Sequence, residues 1–328
     1  MSTRRYPKLA IRTKHELAKR ISGKQLSYRL ALELIRDART KFNEYWYDSK
    51  ESKPEKGKFV RSAVGNSLGN LLSLIDKKVL APHDFLVPDF LFGGLSGKSH
   101  VQAAHHLLGQ KRQRTLLALD ISSFFERIKK QRIFYFFYKK CECTVDVANL
   151  LADLCCVPSG PKGKGSSDIV LARGFATSPR LALWSNLDVF LRLKWKTYKK
   201  LRGHDPRIAI FVDDIGITAS RISKDRMKEL SNVAQSLLNN FDKNQPLPIN
   251  PEKEKIKSYE EGMEHLGLRL GRNRLSLGGK TKAKKDKLYK QLEKSLPKST
   301  RARLNKRKGS YKNYEKQVEN VSQTKLKI

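Results

Sequence analysis

The stretch Ile208-Ala-Ile-Phe-Val-Asp-Asp-Ile-Gly-Ile-Thr218 limits what this chain can fold into more than any other. Apolar, largely β-branched residues run up to two adjacent carboxylates, Asp213 and Asp214, and resume directly after them. That pattern predicts strand, tight turn, strand, with the acids at the hairpin tip. Two carboxylates at a tip repel each other and bury nothing apolar. Either they satisfy the turn backbone as an Asx turn, or they bind a divalent cation, for which hard oxygen ligands are suited.

A third acid bears on the choice. Thr115-Leu-Leu-Ala-Leu-Asp120 reads as an apolar strand ending in a carboxylate, with Phe124 and Phe125 just beyond it. If the two strands are neighbours in one sheet, three carboxylates meet at one edge. Such a set can hold two Mg²⁺ ions about 3.5–4 Å apart, which clamp the attacking and leaving oxygens of a phosphoryl transfer.

Charge narrows the partner. Lys and Arg number 68 against 32 Asp and Glu in 328 residues, a formal net charge of +36. A surface that positive calls for a polyanion, and the phosphate backbone of nucleic acid leads the candidates. Anionic membrane surfaces attract basic chains too, but no apolar run is long enough to span a bilayer. The first residues, Met1-Ser-Thr-Arg-Arg-Tyr-Pro-Lys8, lack the apolar centre of a secretory signal, so a cytoplasmic setting is expected. Cys141 and Cys143 are one residue apart and Cys155 and Cys156 are adjacent. That spacing suits zinc poorly, and buried thiols are expected instead.

Apolar periodicity predicts helices over 25–48, 66–80, 99–109, 180–200 and 224–241, and a mainly helical region over 131–156. Short strands are expected from Phe59 and over 264–270, and loops over 50–58 and 158–168. Lys58 and Arg61 could reach one anion if the backbone bends between them, although an ideal strand puts residues three apart on opposite sides. Solvated surface charge is the alternative. In Phe92-Gly-Gly-Leu-Ser-Gly-Lys98 the glycines permit close backbone approach to a ligand, with Lys98 placed to meet a phosphate. From Gly271 onward the chain carries 19 Lys and Arg against 4 Asp and Glu. Leu288, Leu292 and Leu296 give this segment one apolar stripe, and it reads as an element that grips nucleic acid. A disordered basic tail is the alternative beyond about Lys306.

Five segments stand in the order of the palm motifs of reverse transcriptases: Leu119-Asp-Ile-Ser-Ser-Phe-Phe125, Gly174-Phe-Ala-Thr-Ser-Pro179, Phe211-Val-Asp-Asp214, Asn250-Pro-Glu-Lys253 and His265-Leu-Gly267. Upstream, Gly93-Gly-Leu-Ser-Gly97 and Ala103-Ala-His-His106 are similar to finger-region motifs of the bacterial members. The chain thus resembles that family over roughly residues 55–270, and looks most like the retron and related phage-defence members.

The resemblance implies an α+β right-hand polymerase. Its parts would be N-terminal helices and fingers over 1–110, a palm of antiparallel sheet and packed helices over 111–270 with a return into the fingers, and a short helical basic thumb over 271–328. It implies RNA-directed DNA synthesis on a dedicated structured non-coding RNA by two-metal nucleotidyl transfer, in a retron or related antiphage defence system. The metal ligands would be Asp120, Asp213, Asp214 and the Ile121 carbonyl, holding two Mg²⁺ with Mn²⁺ as a substitute. Lys58 and Arg61 would bind the triphosphate, and Arg173 and Gly174 would border the nucleotide. Phe125 would gate the sugar, with core packing as its alternative role, and Lys253 would protonate the pyrophosphate. Lys98, His106, Lys282, Lys284, Lys285 and Lys287 would touch nucleic acid. Partners would be deoxynucleoside triphosphates, the RNA and its complementary DNA, and a defence effector protein, with no membrane.

The chain departs from the family pattern at Arg173, usually glutamine, at Phe211-Val212 in the turn, at Gln102-Ala-Ala-His-His106 and at His265-Leu-Gly267. A catalytically silent RNA-binding scaffold and a group II intron-type enzyme remain the rival readings.

Overall fold

A computed structural model of the chain describes residues 5–109, 113–164, 166–293 and 297–323. At its centre lies a five-stranded sheet of β1 (Leu91–Phe92), β2 (Arg114–Asp120), β3 (Arg207–Phe211), β4 (Asp214–Ser220) and β5 (Lys255–Ser258). The strand order is β1-β3-β4-β2-β5, and every neighbouring pair is antiparallel except β1 with β3.

Side-chain alternation gives the sheet two apolar faces. Leu117 and Leu119 of β2, Ile208 and Ile210 of β3, and Ile215 and Ile217 of β4 join one core. Covering that face are α2 (Ser178–Ser185), α3 (Leu187–Lys200) and α4 (Lys224–Asn240), through residues such as Trp184, Phe190, Leu193 and Leu230. Leu116, Ala118 and Ala209 belong to a second core on the opposite face. There they meet α1 (His100–His106), a three-stranded sheet of β6 (Met263–His265), β7 (Leu268–Leu270) and β8 (Leu275–Leu277), and the last helix. Each buried Leu or Ile contributes roughly 1.5–3 kcal/mol relative to exposure, so both faces are strongly specified.

Two helices follow β8: α5 (Gly279–Leu292) and α6 (Lys298–Gln323). From Lys306 to Gln323 the chain is helical rather than a disordered tail. It docks because Val318 is buried in the second core, Tyr314 and Val321 pack beside it, and the Ser322 hydroxyl accepts a hydrogen bond from the Leu275 amide at 3.0 Å. Leu288 is buried and Leu292 half-buried, while Leu296 lies outside the described residues.

Several boundaries differ from the sequence expectation for local reasons. The helix expected over 180–200 breaks at Asn186, whose backbone leaves helical geometry while its side-chain amide donates to the Ala182 carbonyl at 2.8 Å. The strand expected over 264–270 is the hairpin β6–β7, because Leu266 and Gly267 both turn through positive φ. The helix expected over 25–48 divides into Tyr28–Thr40 and Phe42–Tyr45, and Tyr47–Asp48 then pairs with Arg61–Ser62. All four cysteines are buried, and none of them is in a disulfide. Among the described residues no helix is long and apolar enough to cross a membrane.

Candidate active site

The β2–β4 pairing sets Asp120 directly opposite Asp214. Asp213 lies one residue away, in the turn between β3 and β4. The turn is tight enough to force Val212 to φ +60°, a rare conformation for a β-branched residue. It is braced from outside: a Cβ on Gly93 would fall 2.6 Å from Val212 Cγ2, and one on Gly94 would fall 2.3 Å from Pro179 Cβ. The close approach that these glycines permit is therefore to the hairpin itself and to the start of α2, not to a ligand.

Backbone hydrogen bonds tie the three acids into one unit. The Ile121 amide donates to the Asp213 carbonyl at 2.9 Å, and the Asn250 amide donates to the Asp120 carbonyl at 2.8 Å. Asn250 then starts a turn, its side-chain oxygen accepting from the Glu252 amide, and Pro251 fixes the direction of the chain. The turn delivers Lys253, whose ammonium donates to Asp120 Oδ2 at 2.6 Å. Asp120, Asp213, Asp214 and Lys253 line a cleft of about 570 Å³ whose far wall includes His265 and Gly267.

Crowding shows in the titration of the acids. Burial pushes Asp214 up to about 7, with the charges of Asp213 and Asp120 adding to it. Burial likewise raises Asp213. For Lys253, burial works downward, but the hydrogen bond to Asp120 and the charges of the three acids outweigh it and the net shift is upward. Hard oxygen donors crowded in this way suit a divalent cation. Among the described residues, however, no three His, Cys, Asp or Glu side chains stand as a ready-made ion cage. As the side chains stand, Asp120 spends an oxygen on Lys253.

A stability prediction follows from the sign of these shifts. Between the ordinary carboxylate range and about pH 7, folded Asp214 keeps a proton that the unfolded chain has released. Its contribution to stability is present below the ordinary carboxylate pKa and is lost as pH rises through about 7. Without divalent ions, raising the pH from 5 to 8 is expected to lower the melting temperature more in the parent than in Asp214→Asn. Added Mg²⁺ should stabilise the parent at pH 8 far more than at pH 5. Scanning calorimetry checks both, and equal pH slopes in parent and variant would refute the crowding.

Phe125 is buried beside Phe124, with the Arg173 guanidinium 4.9 Å above its ring. Arg173 is held by a two-point pair with Glu126, at 3.1 and 3.0 Å. Glu126 had no role in the sequence reading; only its position beside Phe125 could have suggested one. At Gly174, φ is +101° and a Cβ would fall 2.4 Å from the Arg61 carbonyl. The Arg61 amide donates to the Arg173 carbonyl at 2.6 Å, so Gly174 serves the close crossing of two backbone segments.

Other expected contacts require correction. Arg61 does not present its guanidinium to a triphosphate. The group is 3% exposed, bound to Asp48 and to the carbonyls of Pro158 and Gly160, and lies against the rings of Trp46 and Phe59. Lys98 caps its own loop, donating to the Pro88 carbonyl at 2.8 Å and the Leu91 carbonyl at 3.1 Å, rather than meeting a phosphate. His106 packs against Phe92, and burial lowers it to about 4, which leaves it neutral and unsuited to gripping phosphate. Lys58 is half-buried and lies close enough for its charge to act on Asp214. Lys282, Lys284 and Lys287 are exposed on α5, whereas Lys285 pairs with Glu315 of α6 at 2.5 Å.

Two histidines gain a place that their sequence context did not reveal. His265 is buried against Gly216, its Nε2 has no hydrogen-bond partner among the described residues, and burial lowers it to about 4. His100 lies 2.8 Å from the Tyr314 hydroxyl and edge-on to Phe211, so α6 reaches the acid-bearing hairpin through one ring.

The reverse transcriptase (RNA-dependent DNA polymerase) family profile matches residues 54–270. The chain is 23% identical over 205 residues to the retron Se72 reverse transcriptase of Salmonella heidelberg, a match covering 62% of this chain. It spans about half the length of that curated relative, 48%. Among solved structures, apo telomerase from Candida tropicalis, truncated from the C-terminal domain, aligns with a TM-score of 0.44 at 14% identity, over 76% of this chain and 60% of that one.

Proposed function

This chain belongs to the reverse transcriptase (RNA-dependent DNA polymerase) family, and from that premise we propose that it synthesises DNA on a dedicated structured RNA, in a retron or related antiphage setting. The observation that carries the proposal is the register of β2 and β4, which sets Asp120 opposite Asp214 with Asp213 in the adjoining turn. The fingers, palm and thumb would be residues 1–110, 111–270 and 271–328.

Asp120, Asp213 and Asp214, with the Ile121 carbonyl, would hold two Mg²⁺ once Asp120 is released from Lys253. What ions bound there would supply is a lowered pKa at a primer hydroxyl and stabilisation of the charge on the departing pyrophosphate. Lys253 carries a proton at neutral pH and, freed from Asp120, would pass it to that leaving group. Lys58 would meet the triphosphate, the role that Arg61 cannot fill while its guanidinium is buried. Exposed Lys282, Lys284 and Lys287 would follow the backbone of the RNA–DNA hybrid by its phosphates.

Phe125 would set the choice of sugar. Phe124 packs edge-on against its ring and the Arg173 guanidinium lies over it, contacts that would hold the ring in place against a 2′-hydroxyl. In Phe125→Ala, incorporation of ribonucleotides relative to deoxynucleotides is expected to rise by about 10–200-fold, the range of a shape-based pocket. Single-nucleotide primer extension measures the ratio, and an unchanged ratio would return Phe125 to core packing.

The proposal as a whole is tested by purifying the chain with its bound RNA and supplying Mg²⁺ and labelled deoxynucleotides. Sequencing the nucleic acid before and after the reaction identifies the template and the primer. DNA complementary to the co-purified RNA is expected. Retention of RNA with no DNA made would favour a silent RNA-binding scaffold.

A further inference from the structure

A second surface, on the far side of the sheet from the acids, has the chemistry of a nucleic-acid track. Asp120 shares its side of β2 with Leu116 and Ala118, which belong to the second core. The inner residues of α3, Phe190 and Leu193, belong to the first core, so α3 covers the opposite face. Arg192, Trp195 and Lys199 recur on α3 at spacings of three and four, which puts them on one side of the helix. All three are exposed, Trp195 by 58%. The Lys199 ammonium lies 5.1 Å from the Trp195 ring.

This stripe opens onto two adjoining clefts of about 860 and 820 Å³ that share Asp188 and Phe241. Three exposed rings mark the route through them: Trp195, then Phe241 at 43% exposure, then Tyr135 at 49%. Four lysines and arginines line one cleft and two line the other, against only two acids, Asp188 and Asp242. Asp188 pairs with Lys140, Asp242 with Arg132 and Lys129 with Asp168, so the cationic character of the clefts rests on Arg5, Lys139 and Arg192.

Large exposed rings are costly to leave in water and are normally found where something covers them. Here they share the clefts with cations, a combination that receives unpaired bases on ring faces and their phosphates on the charges. A protein partner would have to bring a strongly acidic face. A duplex would offer phosphates but no free base faces. We infer that the Trp195–Phe241–Tyr135 track binds an unpaired segment of RNA, remote from the polymerising cleft. Only the choice of RNA over DNA rests on the proposed polymerase function; the track itself does not.

Trp195 supplies a local reporter, since Trp46 and Trp184 are 3% and 2% exposed. Acrylamide quenching of tryptophan fluorescence is measured with and without an unstructured oligouridylate near physiological salt, and with its deoxy counterpart. The Asp213→Asn protein is run alongside, so that loss of polymerisation and loss of the track are read separately. Oligouridylate is expected to shield Trp195 in both proteins. By filter binding, which needs no tryptophan, Trp195→Ala/Phe241→Ala should hold oligouridylate at least about tenfold more weakly, as expected for lost base stacking, and Arg192→Glu should bind more weakly with an unchanged melting temperature. The inference falls if Trp195 stays equally quenchable with RNA bound, if the double variant binds as tightly, or if only the deoxy oligomer or a co-purifying protein shields it.

Discussion

Asp213→Asn is expected to lower DNA synthesis by on the order of 10⁴-fold, the scale seen when one member of a cooperating catalytic set is removed. Asparagine keeps the shape of the side chain and its place in the turn. It cannot carry the negative charge that would draw a dication to the hairpin. Because burial and neighbouring acids already raise Asp213 and Asp214, removing one charge relieves crowding. The variant should therefore melt no lower than the parent in the absence of Mg²⁺. RNA retention should also survive, since one charge is a minor change in a chain of net +36. Primer extension at saturating nucleotide, beside a filter-binding assay, separates the two effects. Synthesis undiminished in the variant would remove Asp213 from the chemistry.

Much of this arrangement was legible in the residues because it depends on local pattern. Ile208, Ile210, Ile215 and Ile217 around Asp213 and Asp214 encode a hairpin with one face in the first core, and alternation along β2 puts Asp120 beside Leu116 and Ala118 on the other face. Asn250-Pro251 encodes the turn that brings Lys253 to Asp120. What the pattern could not convey was long-range competition for charged groups. Nothing near Arg61 in sequence announces that Asp48, Pro158 and Gly160 will enclose its guanidinium. Lys98 similarly reads as a cation beside glycines until the fold brings the Pro88 and Leu91 carbonyls within reach. The link from Tyr314 through His100 to Phe211 joins residues more than two hundred positions apart, by the separation of 214 between His100 and Tyr314.

Arg61→Ala is the second large effect, and it is expected in stability before catalysis. Breaking a buried ion pair by removing one partner costs about 3–5 kcal/mol, because the other charge is left uncompensated. Asp48 is 28% exposed and can recover some hydration, so the lower end, about 3 kcal/mol, is expected. The carbonyls of Pro158 and Gly160 lose their donor, and the rings of Trp46 and Phe59 lose the group stacked between them. Arg61→Lys should rescue little, since an ammonium cannot reproduce the guanidinium fork. The crossing at Gly174 depends on the same segment, so nucleotide binding would weaken only as a consequence of loosening there. Urea denaturation of both variants, with nucleotide KM measured at a temperature where each remains folded, gives the order of effects. Unchanged stability with a raised KM would instead put Arg61 on the triphosphate.

The shared-ion chemistry at Asp120, Asp213 and Asp214 is tested most directly by a crystal structure of the chain with an RNA template, a DNA primer, an unreactive deoxynucleotide analogue and Mn²⁺, with the ions located by anomalous scattering. Two ions about 3.5–4 Å apart are expected, touching the carboxylates of Asp120 and the hairpin pair, with Lys253 withdrawn from Asp120. A lone ion, or ions held away from Asp120 while Lys253 keeps its bond, would contradict it.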